Sequence, residues 1–111
     1  MMKRNNWKRY ENEILCFAYR YLQAHPKANK AALCRAVLPE LDGRTRGSYE
    51  MKLMNLSAYI ATIDAAGVVQ GYKAYGHAQK DLAETFRATL FGAYKDEFSK
   101  LAIIRIKERM K

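Results

Sequence analysis

Histidine, cysteine, proline and tryptophan are all scarce in this chain, and acidic residues are outnumbered. The sequence has 2 His, 2 Cys, 2 Pro and 1 Trp, with 11 acidic against 20 basic side chains. His25 and His77 lie far apart in sequence, too few and too scattered for the histidine cluster of a metal-dependent nuclease. No cysteine pair has zinc-ligand spacing, and neither HExxH nor GxxxxGK[ST] occurs. The adjacent Asp96 and Glu97 point in different directions on a helix, as a solvated face does. Cys16 and Cys34 both fall in apolar helical patterns with no signal-peptide pattern before them, so they read as reduced core residues. No apolar run approaches the ~18 residues a membrane span needs, and the basic end IIRIKERMK has too weak an apolar face to hold a membrane surface. These shortages lead to the expectation of a cytoplasmic non-enzyme with no metal, no cofactor and no membrane partner.

What is abundant is positive charge. The formal net charge is +9. Residues 1–60 carry 11 basic and 5 acidic side chains, and the remainder 9 and 6. Such an excess favours a polyanionic partner, of which nucleic acid is the commonest for a soluble domain. At 111 residues one domain is expected. Few glycines and prolines argue against disorder away from the ends.

Periodicity predicts an all-α chain. MMKRNNWKR has no period and reads as a flexible arm whose Lys8 and Arg9 can reach phosphate. Tyr10, Ile14, Phe17, Ala18 and Tyr21 then share one helical face, with Glu13, Arg20 and Gln23 elsewhere. His25-Pro26 ends this helix. Asn29 can cap a second, whose inner face holds Ala32, Leu33, Ala36 and Val37, up to Leu38-Pro39. Thr45 is the natural cap of a third. Its stripe Tyr49, Leu53, Leu56, Ile60 and Ile63 fits one helix to Ala66, or two helices meeting near Asn55–Ser57. GVVQGYKAYGH reads as an ordered loop, or a short hairpin if Val68-Val69 pairs with Tyr72–Tyr75. From Ala78 the pattern is helical again as one or two helices, with Gly92 at a break or kink.

Three short helices with a turn before the third match the helix-turn-helix plan, whose last helix enters the major groove. With the stripe facing the core, Arg46 and Glu50 flank it on the early turns, while Lys52, Asn55 and Tyr59 lie towards the open side. Arginine can pair two-pronged with guanine and asparagine with adenine, which suits Arg46 and Asn55 to bases. Arg44 and Lys52 suit phosphates.

Two groups of residues then carry a resemblance. Trp7 followed by Glu11, Glu13, Ile14 and Leu15 looks like the start of a Myb/SANT-type tri-helical domain. Gly43-Arg44-Thr45, Ser48, Lys52-Leu53 and Asn55-Leu56 resemble the "GRT..S...KL.NL" signature of the DNA-binding head of bacterial and phage HNH-type restriction endonucleases and related proteins. The likeness covers residues 7–80, and its tight part is 43–56. It implies a head over 7–66 in which Arg44, Ser48, Lys52 and Asn55 contact DNA and Trp7, Leu53 and Leu56 are core. The chain departs from the Myb pattern in having one tryptophan, with Phe17 and Tyr49 placed to fill the vacancies. The nuclease part of the resembled proteins is absent.

After the head, residues 67–77 form a glycine- and tyrosine-rich loop. It can serve as a wing with Lys73 on phosphate, or simply pack on the core. Residues 78–110 form a helical support or dimerisation segment, whose face of Phe86, Leu90, Phe91, Tyr94, Phe98 and Leu101 is wider than a three-helix head needs. The expected function is sequence-selective binding of double-stranded DNA, as by a repressor or a phage or plasmid accessory factor, with a homodimer through Phe86–Leu101. The rival is a phage-type inhibitor or adaptor that binds a host nuclease or polymerase through the carboxy-terminal face.

Overall fold

The computed structural model describes residues 6–89 and 93–111. Among these the chain is all-α, with helices α1 (Arg9–Ala24), α2 (Lys30–Val37), α3 (Arg46–Ala61), α4 (Lys80–Ala88) and α5 (Glu97–Arg109). The first three form a bundle, and a long loop leads to α4 and α5. No strand occurs among the described residues, so residues 67–77 form a loop rather than a hairpin. No helix among them is long and apolar enough to cross a membrane. Residues 1–5 of the expected arm, together with Leu90, Phe91 and Gly92, lie outside the described residues.

Local chemistry sets the helix ends. Asn29 Oδ1 accepts the Ala32 amide at 3.0 Å, and Thr45 Oγ1 accepts the Ser48 amide at 3.1 Å, so both expected caps are formed. Asp96 caps α5 by accepting the Phe98 amide at 2.9 Å, a structural duty that adjacency to Glu97 did not suggest. α1 stops at Ala24, just ahead of His25-Pro26.

α1 is the axis of the molecule. It packs against all four other helices, and every residue from Glu11 to Tyr19 is buried. A helix enclosed on all sides has no open face, which corrects the placing of Glu13 away from the core: it is 4% exposed. Glu13 accepts the amides of Lys95 and Asp96 at 3.2 and 3.1 Å and the Ser99 hydroxyl, fixing the start of α5. Cys16 and Cys34 are buried free thiols.

α3 is a single helix, with no break near Asn55–Ser57, and it ends at Ala61 rather than Ala66. Tyr49, Leu53 and Leu56 are fully buried, as the stripe predicted, and Ile60 is buried too. Ile63, the stripe's expected last member, lies beyond the helix end and is 62% exposed. Inside the bundle Tyr19 Oη lies 2.7 Å from Ser57 Oγ and accepts the Val69 amide at 2.9 Å, so the core also holds the loop that leaves α3.

The wide carboxy-terminal face divides in two. Phe86 turns inward against Tyr19 and Tyr59, and Tyr94 is half-buried against Phe17. Phe98, Leu101 and Ile104 stay in solvent.

Candidate nucleic-acid interface

The stretch from Gly43 to Leu56 was expected to carry the contacts. Gly43 has a φ of +66°, a left-handed turn that favours glycine. Arg44, which follows it, folds back onto α1. Its Nε and Nη2 each donate to the Glu11 carboxylate at 2.9 Å, Nη2 also donates to the Asn6 carbonyl at 2.8 Å, and the guanidinium lies 4.2 Å from the centre of the Trp7 ring. Its side chain is 8% exposed, against 0% for that of Glu11. Glu11 also accepts the Lys8 and Asp42 amides, both at 3.0 Å. Burial would raise the Glu11 pKa, but the Arg44 fork and the two amides outweigh it and hold the carboxyl below its ordinary value. Three hydrogen bonds to Glu11, two from Arg44 and one from Asp42, thus pin the α2–α3 turn to α1.

Trp7 is half-buried beside this fork, with Lys52 Nζ 5.5 Å from its ring centre. Lys52 also reaches Gln79 Oε1 at 3.5 Å, and burial followed by repulsion from Arg44 lowers its pKa. Lys8 pairs with Asp42. Arg9 is exposed on a cleft of about 360 Å³ that it shares with Asp81 and Glu84 of α4. Ser48 Oγ donates to the Thr45 carbonyl at 3.0 Å, completing the cap.

The loop after α3 crosses that helix as a strap. Tyr72 is 5% exposed and lies near enough to Glu50 and Arg46 for their charges to act on it. The Tyr75 amide then donates to the Met54 carbonyl at 3.3 Å, and Asn55 Nδ2 donates to the Tyr75 carbonyl at 2.7 Å. Gly76 follows with φ +65°, and a Cβ there would come within 3.1 Å of Asn55 Nδ2. Gln79 reaches Lys52 on the far flank. At about 100° per residue, Tyr72, Tyr75 and Gln79 therefore meet successive sides of α3 around its middle. Tyr59, also expected on the open side, leans on Phe86 and accepts a hydrogen bond from Arg87 at 3.1 Å.

The first turn of α3 is left uncovered. Arg46 is 63% exposed on its side chain, with a loose contact to Glu50 at 3.3 Å. Lys30 lies alongside the strap, its Cε 3.1 Å from where a Gly71 Cβ would stand. Arg35 is exposed on α2 and Lys73 on the strap. Among the described residues, Lys30, Arg35 and Lys73 have no carboxylate within ion-pair distance. Lys30 and Arg35 were missing from the expected contacts, because a short helix ending in proline gives no sequence cue to which side of the third helix it flanks.

No protein-family model, curated protein or solved structure matches the chain.

Proposed function

We infer that the chain binds double-stranded DNA without catalysis, as a helix-turn-helix protein of Myb-like kind acting in the cytoplasm. What supports this reading is Arg46, exposed at the first turn of α3, together with Lys30 and Arg35 on α2 and Lys73 on the following loop, which have no carboxylate within ion-pair distance among the described residues. With the middle of α3 strapped, the helix approaches the major groove by its tip, as recognition helices do when their first residues touch base edges. Arg46 is the base-contacting side chain, its surface pair with Glu50 being weak enough to exchange for guanine. Lys30, Arg35 and Lys73 hold phosphates, and the free amides at the start of α3 add to the attraction. A repressor or a phage or plasmid accessory factor fits such a module.

Titrating labelled duplex at about 50 to 300 mM salt tests the reading: three to five phosphate contacts give a log–log slope of about −3 to −4.5. No binding at low salt, or a flat slope, contradicts it.

A second reading rests on α5. Phe98, Leu101 and Ile104 are 70%, 53% and 58% exposed, an apolar patch suited to a protein surface. A second copy of the chain or a host protein would cover it. A Leu101→Asp variant that loses a partner or a dimer while keeping duplex affinity would favour that use of α5.

A further inference from the structure

The carboxy-terminal ends of α1 and α5 flank a groove of about 650 Å³. Its walls include Phe17, Tyr21 and Tyr94, and its cations are Arg20, Lys107 and Lys111, with His25 at one end. Among the described residues, no Asp or Glu side chain lines it. Glu13 is committed to the α5 amides, while Glu108 pairs with Lys111 at 2.9 Å, so that one of the three cations already has a countercharge. Arg20 and Lys107 have no carboxylate partner among the described residues.

The aromatic wall is pre-formed. Phe17 lies 6.1 Å from Tyr21 and 6.3 Å from Tyr94, centre to centre, and Tyr21 lies 4.4 Å from His25. Lys107 Nζ sits 5.8 Å from the centre of the Phe17 ring. The Arg20 guanidinium rests 3.9 Å from the centre of the Phe86 ring and donates to the Phe86 carbonyl at 2.6 Å. Its Nε is buried with no hydrogen-bond partner among the described residues. A half-buried guanidinium with no countercharge is costly, and an anion in the groove would offset that cost.

We propose that this groove binds a nucleoside phosphate, the base against the rings of Tyr21, Tyr94 and Phe17 and the phosphate on Arg20, Lys107 and Lys111. The three rings are inclined to one another, so a base stacks on one ring face and meets the others at their edges. Beside them, Arg20 and Lys107 lack a carboxylate partner among the described residues, and that pairing is what base stacking and phosphate recognition require together. The volume lies in the range of small-ligand sites. The same chemistry is offered by a free nucleotide and by the terminal nucleotide of a single strand.

Calorimetric titration of the full chain with AMP, adenosine, inorganic phosphate and a short single-stranded oligonucleotide tests it. AMP binds at least about tenfold more tightly than adenosine or phosphate alone, since both halves contribute. Lys107→Glu, at an exposed position, weakens AMP by about tenfold without changing the melt. Tyr21→Ala also weakens AMP. Lys73→Ala, on the duplex rim, leaves AMP binding at the parent value, which separates this site from the proposed DNA surface. An oligonucleotide that binds more tightly than AMP assigns the strand end, and one that binds more weakly assigns the free nucleotide; either supports the site. No binding of AMP or oligonucleotide at millimolar concentration overturns the proposal. So does phosphate binding as tightly as AMP, or AMP binding unchanged in both Lys107→Glu and Tyr21→Ala.

Discussion

Two groups of basic residues, one beside α1 and one on α2 and the loop after α3, differ in whether an acid meets them. On the α1 side, Arg44 pairs with Glu11 and Lys8 with Asp42, while Lys52 meets only the Trp7 ring and Gln79. On the α2 side, Lys30, Arg35 and Lys73 face no acid. A net charge of +9 is therefore not one binding surface. It divides into cations paired with acids of the fold, such as Arg44 with Glu11 and Arg105 with Glu40, and cations with no such pair among the described residues.

Removing Glu11 has the largest expected effect. Glu11→Gln strips the Arg44 guanidinium of its countercharge in a nearly closed site, which costs about 3–5 kcal/mol of stability. Arg44→Ala leaves the buried Glu11 with the Lys8 and Asp42 amides but no countercharge from the fork, with a loss of about the same order. Urea or thermal melts of both variants read the effect directly. Melts like the parent's would erase the distinction between the two regions.

Acid titration acts on the same contact. The Glu11 pKa is depressed, as is that of Glu40, chiefly through its hydrogen bond from Arg105 and also through one from Arg109. A depressed folded-state pKa means that the folded state binds fewer protons than the unfolded one. The stability these carboxylates contribute is then complete above their ordinary value of 4.5 and is lost as the pH falls through the lower folded value. Chemical denaturation between neutral pH and about pH 3 should show that decline, and a Glu11→Gln variant should show a shallower one.

Asn55→Ala is expected to act on the strap. It loses the hydrogen bond to the Tyr75 carbonyl, for about 0.5–1.5 kcal/mol, and hydrogen exchange at the Tyr75 amide speeds up. Duplex affinity stays within about twofold, since Asn55 faces the loop and not the open rim. A loss confined to a preferred sequence would restore Asn55 to base reading. Lys73→Ala has the smallest structural effect, within about 0.5 kcal/mol, yet lowers the salt slope of duplex binding by about one.

The stretch GRTRGSYEMKLMN shows what was legible in the sequence and what was not. Thr45 as cap and Tyr49, Leu53 and Leu56 as core could be read, because capping and helical periodicity are local. The order of the helical stretches followed from the same rules, while the choice between one helix and two, in the third stretch and in the last, did not. The partners of Arg44, Lys52 and Asn55 could not be read, because each lies far along the chain: Glu11, Trp7 and Gln79, and Tyr75. Each of these residues has a part in holding the turn, the helix flank or the strap, and so does Gly43 through its positive φ. The groove between the ends of α1 and α5 was equally hidden, since Arg20, Tyr94 and Lys107 come from three separate stretches. Glu11 left one faint signal, an acid in the first turn of a helix whose next turns are almost wholly apolar.

The most direct test of this division of charge is the salt dependence of duplex binding by the parent and by a Lys30→Ala/Arg35→Ala/Lys73→Ala variant, each first melted to establish its fold. All three side chains lie outside the Glu11 contacts, so the variant is expected to melt near the parent. Its log–log salt slope should fall by about 2.7 units, with affinity at low salt reduced in proportion. A variant that binds duplex with the parent's slope and affinity would contradict the assignment of this rim to DNA.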